Sequence, residues 1–169
     1  MPDAAVTTND ASRALFRLGR AFARLPLAEL LEDRGNRGVE LSSILVVQAV
    51  EAGEQAGRAV NVGDVAGQLG VDPSTASRLV AQSERVGFLR RRPSPTDGRS
   101  SVLELTDGGR ALGASAVEYQ RAVFDAATEG WTERERQEFA RHFVRFAEAI
   151  VGALNDERQR VGGANVSEE

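Results

Sequence analysis

Cysteine is absent from this chain of 169 residues, and histidine occurs once. Disulfides, thiol redox chemistry and thiolate metal ligation are thereby excluded, and a histidine-rich metal site has nothing to build it from. Lysine is absent too. All 21 basic residues are arginine, so an arginine at any one position is not by itself a choice over lysine. Long apolar runs are also missing: no window approaches the ~18 uninterrupted apolar residues of a membrane span, and the first 20 residues carry no apolar stretch. Neither a span nor a signal peptide is expected, and a cytoplasmic location is. Nor is there a nucleophile with a partnered histidine, a phosphate-cradling loop or a distinctive carboxylate pair. The expectation is a non-enzyme without metal or cofactor.

What is present is an uneven distribution of charge. The chain carries a net charge of −4, yet Val71 to Arg110 holds seven arginines against five acids, and Arg85 to Arg99 five against one. A local basic patch on an acidic body suits a protein that touches phosphates in one place without coating itself in nucleic acid.

Periodicity and punctuation supply the elements. Ala11, Leu15, Leu18, Phe22 and Leu25 recur at steps of four and three, one face of a helix ending near Pro26; a short helical turn with Leu27, Leu30 and Leu31 follows, closed by Gly35. Leu41 to Ala52 is almost wholly apolar and predicts the buried central helix, with Gly53 as its stop. Asn61, with Asp64 three residues on, caps a short helix over 62–69 that Gly70 ends. Asp72 caps the next, with Pro73 at its first position, and this one runs to about Arg85. Two short helices joined by Gly70-Val71-Asp72 are a helix-turn-helix.

Phe88–Arg92 and Ser100–Leu105 predict two strands of a wing, whose prolines 93 and 95 interrupt a regular ladder and whose Asp97-Gly98 favours a tight turn. Thr106 caps a long helix to about Thr128, with Leu112, Ala116, Tyr119 and Val123 on one face. Thr132, with Glu135 as capping-box partner, opens a last helix whose Phe139, Phe143, Phe146, Ile150 and Leu154 share a stripe. With Leu15 and Phe22 of the first helix, that stripe is apolar surface left over from a compact winged helix, the mark of a subunit interface. The expected fold is mainly α with a small β-wing, a winged helix-turn-helix plus a helical dimerisation region. Its boundaries are a disordered N-terminus over 1–8, dimerisation helices over 9–34 and 107–157, the DNA-binding domain over 39–106, and a disordered C-terminus over 158–169.

On the second helix of the helix-turn-helix, Ala76, Leu79, Val80 and Ser83 mark the inward direction at 100° per residue. Ser74, Arg78, Ala81 and Arg85 then point outward, with Thr75 and Gln82 flanking. Hydroxyl, amide and guanidinium groups are those that read base edges and phosphates; the alternative is an ordinary solvated helix face. Beside this helix the arginine-rich hairpin can reach a neighbouring minor groove, with Arg99 as the probe, Asp97 holding its guanidinium, and Arg90, Arg91 and Arg92 on phosphates. A merely solubilising loop is the alternative there.

Residues 61–112, NVGDVAGQLGVDPSTASRLVAQSERVGFLRRRPSPTDGRSSVLELTDGGRAL, resemble the winged helix-turn-helix of the MarR family of bacterial transcriptional regulators. The capped recognition helix, the Asp97 and Arg99 of the wing, and Leu105-Thr106 followed by Gly109 carry the resemblance, which extends over about residues 10–155. It implies a homodimer joined through its first and last two helices, acting on a palindromic operator in double-stranded DNA and released when a small ligand binds. By position it implies DNA contacts from Ser74, Thr75, Ser77, Arg78, Gln82, Asp97 and Arg99. Two positions depart from the family's pattern: Ser83 stands where a leucine is usual and Val86 where a charged residue is, which implies shifted packing at the end of that helix. A winged helix used as a protein-interaction module is the competing reading.

Arg13, Arg17, Arg20 and Arg24 form a second stripe on the first helix. They either hold an anionic effector, of which a lipophilic or aromatic acid is the class left by elimination, or form a solvated face. His142, Trp131 and Tyr119 read as packing or interface residues.

Overall fold

The computed structural model describes residues 6–22, 40–93 and 101–164, without the side chains of Phe22, Leu154, Asn155, Arg158, Gln159 and 161–164. Helix α1 spans Thr8–Phe22, α2 Leu41–Gln55, α3 Val62–Leu69 and α4 Pro73–Arg85; strands β1, Leu89–Pro93, and β2, Ser101–Leu105, follow; α5 spans Asp107–Ala127 and α6 Glu133–Ala164. The expected turn around Leu27, Leu30 and Leu31 lies outside the described residues.

Local chemistry sets most boundaries. Thr7 and Asp10 cap α1 reciprocally, the Asp10 amide donating to the Thr7 hydroxyl at 3.2 Å and the Thr7 amide to Asp10 at 3.1 Å. The helix therefore begins at Thr8, and at the other end α6 continues helical to Ala164, beyond the 157 boundary expected. Asn61 and Asp64 form the capping box of α3, and Gly70 closes it in the left-handed region. Thr132 and Glu135 do the same for α6, where the Thr132 hydroxyl and then its amide hold the Glu135 carboxyl below its ordinary range.

The core lies where α2, α3, α4, the strands and α5 converge. Ile44, Val47 and Val50 of α2 meet Val65, Val80, Leu105 and Leu112, all fully buried or nearly so. Each buried aliphatic of this size removes enough apolar area from water to stabilise by about 1.5–3 kcal/mol. Gly53 is not the stop of α2. It is buried within the helix, because a Cβ there would sit 2.1 Å from Cγ2 of Val60; the chain leaves α2 further on, at Gly57 with φ 66°.

The wing is antiparallel, with Leu89 opposite Leu105, Arg90 opposite Glu104 and Pro93 opposite Ser101. Pro93, expected to interrupt the ladder, is itself part of it, opposite Ser101. Leu103 donates its amide to the Val60 carbonyl at 2.7 Å, so a third segment extends the sheet by one bridge. Leu89, Leu103 and Leu105 face the core.

Candidate nucleic-acid interface

Helix α4 has a buried side and an exposed side. Ala76, Val80 and Ser83 are fully buried, whereas Ser74, Ser77, Arg78, Ala81 and Arg85 are exposed, and Thr75 and Gln82 are half-buried at the flanks. Ser83, in place of a leucine, donates its hydroxyl to the Leu79 carbonyl at 3.0 Å, so a small polar group enters the core already satisfied and α4 runs unbroken to Arg85.

The N-terminus of α4 is tied by one carboxylate. Asp72 accepts from the Ser74 hydroxyl at 2.5 Å, the Thr75 amide at 2.9 Å and the Thr75 hydroxyl at 2.6 Å. These bonds, the Ser74 hydroxyl foremost, hold the Asp72 carboxyl far below the usual carboxylate range. Arg78 in turn donates to the Thr75 hydroxyl at 3.2 Å. Ser74, Thr75 and Arg78 thus form one chain of hydrogen bonds along the start of the outward face, and the two hydroxyls proposed to touch DNA also hold the helix end.

Arg90, Arg91 and Arg92 of the wing are paired within the protein. Glu104 accepts from Arg90 at 2.9 Å and from Arg92 at 2.8 Å, while Arg91, on the opposite side of the strand, reaches Glu84 of α4 at 2.9 Å. Sequence reasoning placed all three on phosphates and overlooked both carboxylates. The alternation of a strand, with Arg90 directly opposite Glu104, was the signal available. Asp97 and Arg99 lie outside the described residues.

The wing is seated by close contacts that explain the Leu-Thr…Gly pattern. Thr106 donates its hydroxyl to the Gly87 carbonyl at 2.6 Å and accepts from the Gly109 amide at 3.1 Å, capping α5. A Cβ on Gly109 would sit 2.1 Å from the Phe88 carbonyl oxygen, so only glycine lets α5 start against the residue that leads into β1. Glu54 of α2 accepts the Leu105 amide at 3.1 Å and the Arg110 guanidinium at 2.6 Å, fastening strand and helix to the core. Its role had no signature in the sequence, since its partners lie far along the chain.

Residues 37–100 match the family model described as MarR family. Over this segment the chain is similar to the MarR family. Among curated proteins, none matches the chain in sequence. Solved structures do match in fold. CouR from Rhodococcus jostii RHA1 bound to p-coumaroyl-CoA is 22% identical, with a TM-score of 0.64 over 88% of this chain and 96% of that one. RV1404 from Mycobacterium tuberculosis is 21% identical, with a TM-score of 0.65 over 86% and 95%. Streptococcus pneumoniae FabT in complex with DNA is 20% identical, with a TM-score of 0.63 over 83% and 97%.

Outside the MarR-family segment, α1 and α6 enclose an open groove of about 910 Å³ lined by Leu15, Leu18, Phe139, Phe143 and Phe146, with His142 and Arg145 at its edge. Phe143 is 39% and Phe146 45% exposed. Trp131 packs edge-on against Phe139, at 5.3 Å between ring centroids, and Phe139 stacks on Phe143 and on Phe124 of α5. Ile150 is half-buried on α6; the side chains of Phe22 and Leu154 lie outside the described ones. Arg13, Arg17 and Arg20 are all exposed and are not among the residues lining this groove, whose charged edge comes instead from Arg145, 3.4 Å from Nδ1 of His142. No described helix is long and apolar enough to cross a membrane.

Proposed function

We propose that this chain is a sequence-specific DNA-binding transcriptional regulator, a repressor rather than an enzyme, acting as a homodimer on a palindromic operator. The observation that carries this is the exposed face of α4, with Ser74, Ser77, Arg78 and Arg85 outward and Ala76, Val80 and Ser83 buried behind them, in a helix-turn-helix with a wing alongside. Such a helix fits the major groove, where Arg78 reads a guanine edge or a phosphate and Gln82 an adenine edge. The wing, through Asp97 and Arg99, reaches the adjacent minor groove. A neighbour of the same fold, FabT, is in complex with DNA, which supports this use of the architecture.

The apolar groove between α1 and α6 supports the homodimer. A second copy would cover Phe139, Phe143 and Phe146 and hold two recognition helices one helical turn apart, ~10 bp centre to centre. Release by a lipophilic or aromatic acid is the proposed regulation, in keeping with a neighbour, CouR, bound to p-coumaroyl-CoA.

The test is a mobility shift with the chain's own upstream DNA, excess competitor and a salt series. A discrete complex that survives competitor and weakens steeply with salt is expected. Failure to shift any duplex at low salt would transfer the reading to a winged-helix module for protein partners. Arg99→Ala should weaken operator binding with the dimer intact; binding at wild-type strength would remove Arg99 from the interface.

A further inference from the structure

The wing holds two of its arginines on a single carboxylate. Arg90 and Arg92 project to the same side of β1, are 54% and 53% exposed, and both close on Glu104 of β2, at 2.9 and 2.8 Å. Arg91, between them, points the other way and joins the wing to α4 through Glu84. The two sides of the strand therefore do different things. One ion pair ties two elements together, whereas the other lies within the hairpin, which the ladder and its buried leucines already hold.

We propose that Glu104 is a specificity-determining residue of the DNA interface: it occupies Arg90 and Arg92 in the free protein and so suppresses binding to non-cognate duplex. This rests on the DNA-binding reading above. Backbone contacts made by arginine supply affinity without sequence information, and a wing with both guanidiniums free would bind any duplex. Glu104 halves that charge and places a carboxylate where phosphate oxygens would otherwise sit. Exposed ion pairs are weak and exchange readily, so a correctly docked operator draws the arginines across, while a glancing encounter with other DNA does not.

Glu104→Gln keeps the size and a hydrogen-bond acceptor but removes the charge. Binding to a non-cognate duplex and to the operator would be measured for wild type and variant over a salt series, with thermal unfolding as a check on folding. The variant should bind non-cognate duplex several-fold more tightly and steepen log affinity against log salt by about one unit. Operator affinity should rise less, so the specificity ratio falls.

The same substitution in an Arg90→Ala/Arg92→Ala background should lose most of its effect, because no guanidinium remains to be released. An equal gain in both backgrounds would reduce Glu104 to general charge repulsion and overturn the proposal. So would an unchanged affinity and slope in a folded variant that, like the wild type, still binds DNA. If the wild type bound no duplex at all, the DNA-binding reading itself would fall, and the role of Glu104 with it.

Discussion

The winged helix and the terminal helices treat apolar surface in opposite ways. In the former, α2, α3, α4, the wing and the start of α5 bury Val46, Val47, Val50, Val65, Val80 and Leu112 completely, and α3, α4 and α5 each start on a side-chain cap. In the latter, Phe16 of α1 faces solvent, and Phe139, Phe143 and Phe146 of α6 are part-exposed along an open groove. One region carries its own core; the other leaves large apolar side chains uncovered. On the function proposed above, the contrast separates two tasks: the recognition surface of α4 is held stiff by its own core, whereas the spacing between two such surfaces would be set by what α1 and α6 meet.

Phe143→Asp should break that division most visibly. A carboxylate in the groove would be desolvated by any covering copy. A monomer is expected in light scattering, with operator affinity down by about 100-fold or more as the two half-site contacts cease to act together, while the winged helix still unfolds cooperatively. A dimer that still bound the operator would place the interface elsewhere.

Arg78→Ala probes the other region and should leave the dimer intact. Operator binding is expected to fall roughly 10- to 100-fold, with discrimination relaxed at one base position; unchanged binding at matched salt would take Arg78 out of the interface. Gly109→Ala tests the seating of the wing rather than its chemistry. With the Phe88 carbonyl oxygen 2.1 Å from the added methyl, backbone must move, and a loss of about 1–3 kcal/mol in folding stability is expected by denaturant titration. An unperturbed midpoint would mean that α5 and β1 are less tightly apposed than their contact indicates.

The same contrast explains what could be read from the sequence. Caps are local chemistry, so Asn61 with Asp64, Asp72 with Pro73, Thr106, and Thr132 with Glu135 announced helix starts within four residues of chain. The inward side of α4 was legible because Ala76, Val80 and Ser83 follow helical spacing whatever they pack against. Gly53 was misread because its reason is Val60 on another segment. Glu54 was missed because its partners Leu105 and Arg110 are 51 and 56 residues away. On the site itself, outwardness was legible but pairing was not: Arg90, Arg91 and Arg92 read as free charge until the strand register brought Glu104, and the packing of α4 brought Glu84, to them. Likewise the stripe of Arg13, Arg17 and Arg20 followed from spacing, but which residues edge the groove depended on where α6 lies.

The smallest expected effect concerns the point at which structure and recognition share atoms. The Asp72 carboxyl is held well below its ordinary value of 3.8 by the Ser74 and Thr75 hydroxyls and the Thr75 amide. A depressed carboxylate stabilises the fold above its unfolded value, and that contribution is lost as pH falls through the folded one. The α4 cap should therefore be constant from neutral pH down to the ordinary carboxylate range and weaken only below it. Carbon NMR of the Asp72 carboxyl should show a midpoint lower than that of an unpartnered aspartate, and Thr75→Val, which removes one hydroxyl and keeps the shape, should move it upward. If that variant also weakened operator binding at neutral pH with no change in thermal stability, Thr75 would be acting on DNA directly. If binding and stability fell together, its part in recognition would be to hold the first turn of α4 in place.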